Sequence, residues 1–187
     1  MNGSPVKLYY VPCGYRSGNF GDMFSAEIVE TLSERPVDAS GEGEEDIARA
    51  EAVACGSLAQ HLPHDFLGYV WGTGLMFEHG EVRCSGASVT ALRGKLTAAR
   101  WPGRPDVPLG DPGLLVCVAR PDLAASEAPR WMVGIVPHYV DADDTVLAEF
   151  LKRNLETCIA LDSCGPDLPE RIAECEFILS SSLHGLG

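Results

Sequence analysis

The residues of this 187-residue chain that are best suited to chemistry follow short apolar segments. His184 comes after the apolar run Phe177–Leu179 and three serines. Because an imidazole titrates near neutral pH, His184 is a candidate general acid or base. The alternative interpretation is that His184 is a hydrogen-bonded core histidine that holds the turn at Ser180–Ser182. Ser181 and Ser182 either donate hydrogen bonds to a bound phosphate or satisfy the strand end.

Arg93 is the candidate anion-binding residue. It lies near the end of the predicted strand within Ser88–Gly94, directly before a predicted helix over Lys95–Arg100. A guanidinium matches a carboxylate or a phosphate with two parallel hydrogen bonds. The alternative interpretation is a surface arginine that covers the edge of a sheet.

Three further polar residues are candidates for contact with a ligand. His138 follows the apolar run Trp131–Val136, so it either binds a ligand or caps the sheet. Asn19 and Asp22 belong to a Gly-rich loop between the first predicted strand and a helix. They orient either a ligand hydroxyl or the loop itself, and Asp22 fits a helix N-cap equally well.

The elements that must position these residues follow a regular pattern. Short apolar strands that end in Gly, Ser, Thr or Arg are expected at residues 6–11, 51–57, 69–74, 88–94, 131–136, 158–162 and 175–179. Helices are expected from residue 22 onward and at residues 58–63, 95–100, 146–151 and 168–174, whereas Ser40–Asp46 is expected to be an acidic surface loop. This alternation predicts an α/β fold with a parallel, doubly wound sheet and a functional edge at the strand ends.

The pattern also predicts two domains. Residues 1–119 form the first α/β domain, the polar and Pro-bracketed segment 120–130 is the linker, and residues 131–187 begin a second α/β domain. Because so few strands would leave much of a core open, we expect this second domain to be incomplete at its C-terminus. Ligand is expected in the cleft between the two units, at the strand ends.

Composition narrows the classes of function. A net charge of −13 argues against nucleic acid or an anionic membrane as the main partner. The longest apolar stretch, Leu67–Phe77, is too short to span a membrane and is interrupted by glycines, and residues 1–7 lack signal-peptide features. Seven scattered cysteines without a Cys-x-x-Cys pair indicate reduced thiols and a cytoplasmic setting. No group of residues has metal-ligand spacing, and the Gly-x-Ser-x-Gly motif of serine hydrolases is absent.

Seven segments in a fixed order are more specific than any one of them. They are Asn19–Asp22, Gly56–Leu58, Trp71–Gly74, Leu92–Thr97, Gly110–Leu115, Val136–Tyr139 and Ser180–Gly185. Together they resemble the polysaccharide pyruvyl transferase family, which includes bacterial enzymes that add pyruvate ketals to exopolysaccharide sugars. The Arg-Gly-x-Leu-Thr and Ser-Ser-x-His-Gly-like elements carry most of the resemblance, which runs across essentially the whole chain.

The resemblance implies a fold and a reaction. The fold would be two Rossmann-like units in a GT-B-like arrangement, the second of them incomplete. The reaction would move pyruvate from phosphoenolpyruvate to two hydroxyls of a glycan or lipid-linked sugar as a ketal, with release of phosphate. Phosphoenolpyruvate is then a donor substrate, no cofactor is needed, and peripheral association with membrane-bound biosynthetic machinery fits such an acceptor.

The resemblance also implies roles for particular residues. His184 and Arg93 would be catalytic, and Leu183 would contact phosphoenolpyruvate beside His184. The remaining substrate-binding residues would be Ser181, Ser182, His138, Asn19, Asp22, Gly72 and Gly74. Two alternatives stay open, namely a GT-B-like glycosyltransferase that uses a nucleotide sugar and an inactive, truncated remnant that only binds ligand.

Overall fold

A computed structural model describes residues 3–11, 20–41, 43–123, 128–138, 140–165 and 167–185, and of His184 the backbone alone. The predicted site residue Asn19 and part of the predicted linker lie outside this description. The described residues form two compact units. The first contains residues 3–11 and 21–119, and the second contains Phe20 and the described residues from Arg120 onward.

A five-stranded parallel sheet organises the first unit. Its strands are β1 (Val6–Tyr9), β2 (Val37–Ala39), β3 (Ala52–Val53), β4 (Tyr69–Trp71) and β5 (Ser88–Ala91). They lie in the order β2-β1-β3-β4-β5. The four strands predicted from the sequence are confirmed, each with shorter bounds, and β2 was not predicted. The strand order reverses between β1 and β3, which is the switch point where doubly wound sheets bind ligands.

Helices and 3-10 turns lie between these strands or follow the last of them. Between strands lie α1 (Phe20–Ser33), α2 (Glu44–Ala48) and the 3-10 turn Ala59–His61, whereas α3 (Lys95–Arg100), the 3-10 turn Pro112–Leu115 and α4 (Val116–Ala119) follow β5. The prediction of an acidic loop over Ser40–Asp46 is wrong for residues 44–46, which begin α2. Acidic side chains in a first helical turn interact favourably with the helix dipole, and Ile47 of this helix is buried in the core.

The core of the first unit includes residues from the strands whose ends carry candidate site residues. Its fully buried side chains include Val53, Phe66, Val70 and Leu92, which come from three strands or their ends and from one connection. Burial of each such side chain contributes about 1.5–3 kcal/mol. Residues that follow β3, β4 and β5 are therefore held by well-packed neighbours.

A three-stranded parallel sheet organises the second unit. Its strands are β6 (Trp131–Val136), β7 (Cys158–Ala160) and β8 (Cys175–Ser180) in the order β7-β6-β8, with α5 (Thr145–Arg153) and α6 (Leu168–Ala173). Asp144 is the N-cap of α5, and its side chain accepts a hydrogen bond from the Leu147 amide at 2.8 Å. The pairing of Val136 with Ser180 brings the carboxyl ends of β6 and β8 together.

Both units are thus α/β, each built on a small parallel sheet. None of the helices in the described ranges combines the length and the apolar character needed to cross a bilayer.

Candidate functional site

Polar residues gather at the strand ends of the first unit. We call Asp22, Cys55, Ser57, Arg93 and Asp111 the first cluster. Asp22 lies in the first turn of α1, Cys55 and Ser57 follow β3, and Arg93 follows β5. Asp111 directly precedes the 3-10 turn Pro112–Leu115. Five parallel strands with a common direction bring these positions to one edge of the sheet.

The guanidinium of Arg93 forms hydrogen bonds with residues of its own unit. Its Nη1 donates to the Ser57 hydroxyl and its Nη2 to the Leu75 carbonyl, both at 2.6 Å. The guanidinium lies against Gly74, where an added Cβ would come within 2.5–2.7 Å of three of its atoms. Burial lowers the pKa of Arg93, while the carboxylates of Asp111 and Asp22 act in the opposite direction. The residue therefore keeps a partly buried charge close to two carboxylates.

Cys55 is the buried member of the first cluster, and its thiol lies close enough to both carboxylates to feel their charge. Burial raises the pKa of its thiol well above the ordinary value, and the negative charge of Asp111 adds to the rise. Its amide donates to the buried Ser25 hydroxyl at 2.9 Å. The following residue, Gly56, has a φ of 94°, and any side chain there would collide with the Asp22 carboxylate. Residue 56 therefore has to be glycine.

Gly72 and Gly74 were predicted to bind substrate, and the structure shows what they contact within the unit. The Gly72 amide donates to Ala91 at 2.9 Å, and Pro112 packs where a side chain on Gly72 would lie. The Gly74 amide donates to the carbonyl of Gly56 at 3.0 Å. Neighbouring protein atoms therefore use the amides of both glycines and occupy the space beside them.

Polar residues at the strand ends of the second unit are linked through Ser181. We call His138, Asp141, Ser180, Ser181 and Ser182 the second cluster. The Ser181 hydroxyl accepts from the His138 amide at 2.8 Å and donates to Asp141 Oδ2 at 2.6 Å. The Asp141 amide donates in turn to the His138 carbonyl at 2.8 Å. One exposed hydroxyl thus joins the end of β8 to the loop after β6.

Ser180 and Ser182 shape the turn that follows β8. Ser180 Oγ lies 2.8 Å from the carbonyls of Val136 and Ser182 and accepts from the Ser182 amide at 2.9 Å. A 3-10 turn, Leu183–Gly185, comes next, and the Leu183 side chain is half exposed. The backbone of His184 lies in this turn, while its imidazole is outside the described atoms. The predicted roles of these residues stay predictions.

The sequence interpretation missed three polar residues at these edges, namely Cys55, Asp111 and Asp141. Asp111 belongs to an Asp-Pro-Gly turn, which indicates a turn but no site. Asp141 follows His138 by three positions, and its link to Ser181 spans 40 residues of sequence. Within the described part of the chain, no group of three or more His, Cys, Asp or Glu residues is arranged to hold a metal ion.

The chain matches no protein-family model, no curated protein and no solved structure. The fold and the two clusters define it as an α/β protein with polar strand ends in both units.

Proposed function

We propose that the chain is a pyruvyltransferase that moves pyruvate from phosphoenolpyruvate to a sugar of an exopolysaccharide or another cell-surface glycan. The observation that supports this most is the segment Ser180–Gly185, which follows one of two adjacent parallel strands and lies beside His138. Parallel α/β sheets bind ligands at this edge. With the Arg-Gly-x-Leu-Thr element, the segment also carries most of the resemblance to the pyruvyl transferase family.

The reaction sets clear requirements for the residues. Two sugar hydroxyls form two new bonds to C2 of phosphoenolpyruvate, and the bond from C2 to the phosphate oxygen breaks. Of the two hydroxyl protons, one ends on the methylene carbon, which becomes a methyl group, and the other leaves with phosphate. The site must therefore supply an acid, a base and cationic or N–H donors for the donor's anionic groups.

In this proposal His184 protonates the methylene carbon and Leu183 contacts the donor beside it. Arg93 supplies positive charge for the carboxylate or the phosphate. Its bonds to Ser57 and Leu75 leave other N–H groups of the guanidinium for such a contact. His138, Ser182 and Asp22 contact substrate or hold the strand ends, and Asn19 belongs to the same proposal.

The setting and architecture belong to the proposal as well. A GT-B-like arrangement of Rossmann-like units, a cytoplasmic location and a glycan or lipid-linked acceptor all follow from the family resemblance. Phosphoenolpyruvate as donor and scattered cysteines without a Cys-x-x-Cys pair favour the cytoplasm. The reaction needs no cofactor besides its donor.

Acceptor-dependent phosphate release tests the function. The full chain is incubated with phosphoenolpyruvate and a panel of glycan and lipid-linked acceptors, and released phosphate and ketal product are measured. Product that requires both substrates supports the proposal. Turnover of nucleotide sugars instead would identify a glycosyltransferase, and ligand binding without any turnover would identify a binding protein.

Substitutions test the two catalytic assignments. We expect His184→Gln and Arg93→Lys each to lower kcat/KM by at least about 100-fold. His79→Ala is the matched control, because His79 is exposed and lies outside both clusters. Survival of activity within about tenfold, which is about 1.4 kcal/mol of barrier, would make that residue's assignment wrong.

A further inference from the structure

Asp141 is a carboxylate that the structure fixes at the edge where the second unit would bind ligand. Its Oδ2 accepts from the Ser181 hydroxyl at 2.6 Å, and its amide is bound to the His138 carbonyl at 2.8 Å. The residue is partly exposed to solvent. A carboxylate held in this way has a defined orientation and can still be reached by a substrate hydroxyl.

Ser181 has no second proton to offer. A serine hydroxyl carries one O–H donor, and here that proton is directed at Asp141. Its lone pairs face the His138 amide at 2.8 Å. For Ser181 to donate to a phosphate, the bond to Asp141 would have to break. The present contacts instead make Ser181 a residue that orients the carboxylate.

We propose that Asp141 is the general base that takes the proton from an acceptor hydroxyl, and that Ser181 is its positioning residue. The inference rests on the proposed ketal-forming reaction. As the second acceptor hydroxyl forms its bond to C2 of the donor, the bond from C2 to the phosphate oxygen breaks and the hydroxyl proton passes to Asp141. From there the proton leaves with the released phosphate, so the carboxylate is restored. Positioned carboxylates commonly fill this role in transfer to hydroxyl groups.

A purely structural role makes a different prediction. The bonds among His138, Asp141 and Ser181 also hold the loop after β6 against the end of β8. If holding the loop were the only role, any change that keeps the hydrogen bond would keep activity. The charge of the carboxylate would then be irrelevant to turnover.

Asp141→Asn separates these roles, because its amide oxygen still accepts from Ser181 while the charge and basicity are lost. We expect kcat to fall by at least about 100-fold, with KM for the acceptor and the melting temperature nearly unchanged. Ser181→Ala should lower kcat by about tenfold, since the base remains but loses its orientation. The matched control is Asp143→Asn, an exposed carboxylate on the same loop, which should retain wild-type activity.

Asp141→Ala with added formate provides a second measurement. Formate can enter the space of the lost side chain, so it should restore part of the turnover if the carboxylate acts as a base. Loss of turnover with a lowered melting temperature and no response to formate would show a role in holding the loop and overturn the inference.

The wild-type assay separates the two levels of the proposal. If the wild-type chain gives no acceptor-dependent phosphate, the proposed function fails and the role of Asp141 fails with it. If the wild type is active and Asp141→Asn stays within about tenfold in kcat, only the role of Asp141 is overturned.

Discussion

Polar side chains at the strand ends of the first unit form hydrogen bonds with one another, whereas those of the second unit mainly form hydrogen bonds with backbone groups. Arg93 and Ser57 are joined side chain to side chain, beside the buried thiol of Cys55. Ser180 contacts backbone carbonyls, and Ser181 is exposed while it holds Asp141. The same kind of sheet edge is therefore held by a partly buried guanidinium in one unit and by serine hydroxyls, one of them exposed, in the other.

This difference separates residues that stabilise the fold from residues that a ligand can reach. A buried polar group that loses its partner keeps the full cost of its lost solvation, whereas water replaces the partner of an exposed group. Substitutions in the first cluster should thus affect folding strongly, even where the residue also binds substrate. Substitution of an exposed member of the second cluster, such as Ser181, should affect mainly ligand binding and turnover at the surface.

The largest effect is expected for Arg93→Ala. The change removes two hydrogen bonds from a charged donor and leaves Asp22 and Asp111 near an empty space, so the first unit should lose about 3 kcal/mol. Hydrogen exchange in urea, followed on peptides from β3 and β5, measures the free energy of opening for this unit alone. Arg100→Ala, an exposed arginine in α3, should change it by less than about 0.5 kcal/mol. An equally small change for Arg93→Ala would show that the bonds of its guanidinium do not stabilise the first unit.

Gly74→Ala should destabilise the first unit by about 2 kcal/mol, because the new methyl group would overlap the Arg93 guanidinium. In an Arg93→Ala background the same change should cost less than about 0.5 kcal/mol, since the obstructing side chain is gone. The control is Gly110→Ala, which has open space at its Cβ. Additive effects of the two substitutions would show that the contact does not govern either site.

Alkaline pH tests how deeply the first unit buries its thiols. Burial raises the pKa of Cys84 from its ordinary value of 9.0 to about 11. The folded chain holds this proton more tightly than the unfolded chain, so the stabilisation is complete below pH 9.0 and is lost as pH rises toward about 11. We expect unfolding free energy to fall by about 1.4 kcal/mol per pH unit for such a thiol in that window.

The control for this pH dependence uses two cysteine variants. Cys84→Ala should lower the slope of stability against pH in this window, and the slope that remains should come from Cys55, whose thiol pKa burial also raises. Replacement of the exposed Cys117 by Ala should leave the slope unchanged. An identical slope in both variants would mean that another group causes the loss.

The smallest effect is expected for Ser180→Ala in the second unit. Its hydroxyl interacts with the Val136 and Ser182 backbone, so its loss should cost about 1 kcal/mol in opening of the β8 end. Hydrogen exchange of peptides that cover residues 175–185 measures it. A loss as large as that of Arg93→Ala would remove the distinction between the two edges.

The sequence predicts local elements well where the pattern is strong. The apolar run of β6 and the helix α3 have the bounds that were expected. The three-residue strand β2 was missed because it has no alternation of its own. It exists through pairing with β1, in which Val37 lies opposite Val6. Short edge strands of this kind depend on tertiary contacts that no local pattern contains.

The candidate sites show the same limit. Arg93 and the serines after β8 could be identified because each directly follows an apolar strand. Asp111 and Asp141 could not, since Asp111 precedes a turn and Asp141 lies in one, and both reach their clusters only through the topology of the sheets. Their contacts join residues that are far apart in sequence, as the bond from Ser181 to Asp141 illustrates.

The close approach of Arg93 to Gly74 has a consequence for natural variation. Residue 74 has no room for a side chain while the guanidinium lies over it, and the guanidinium would lose its place if residue 74 grew. Selection would then act on the two positions as a pair. In any divergent descendant of this gene, a larger residue at 74 should arise together with the loss of arginine at 93.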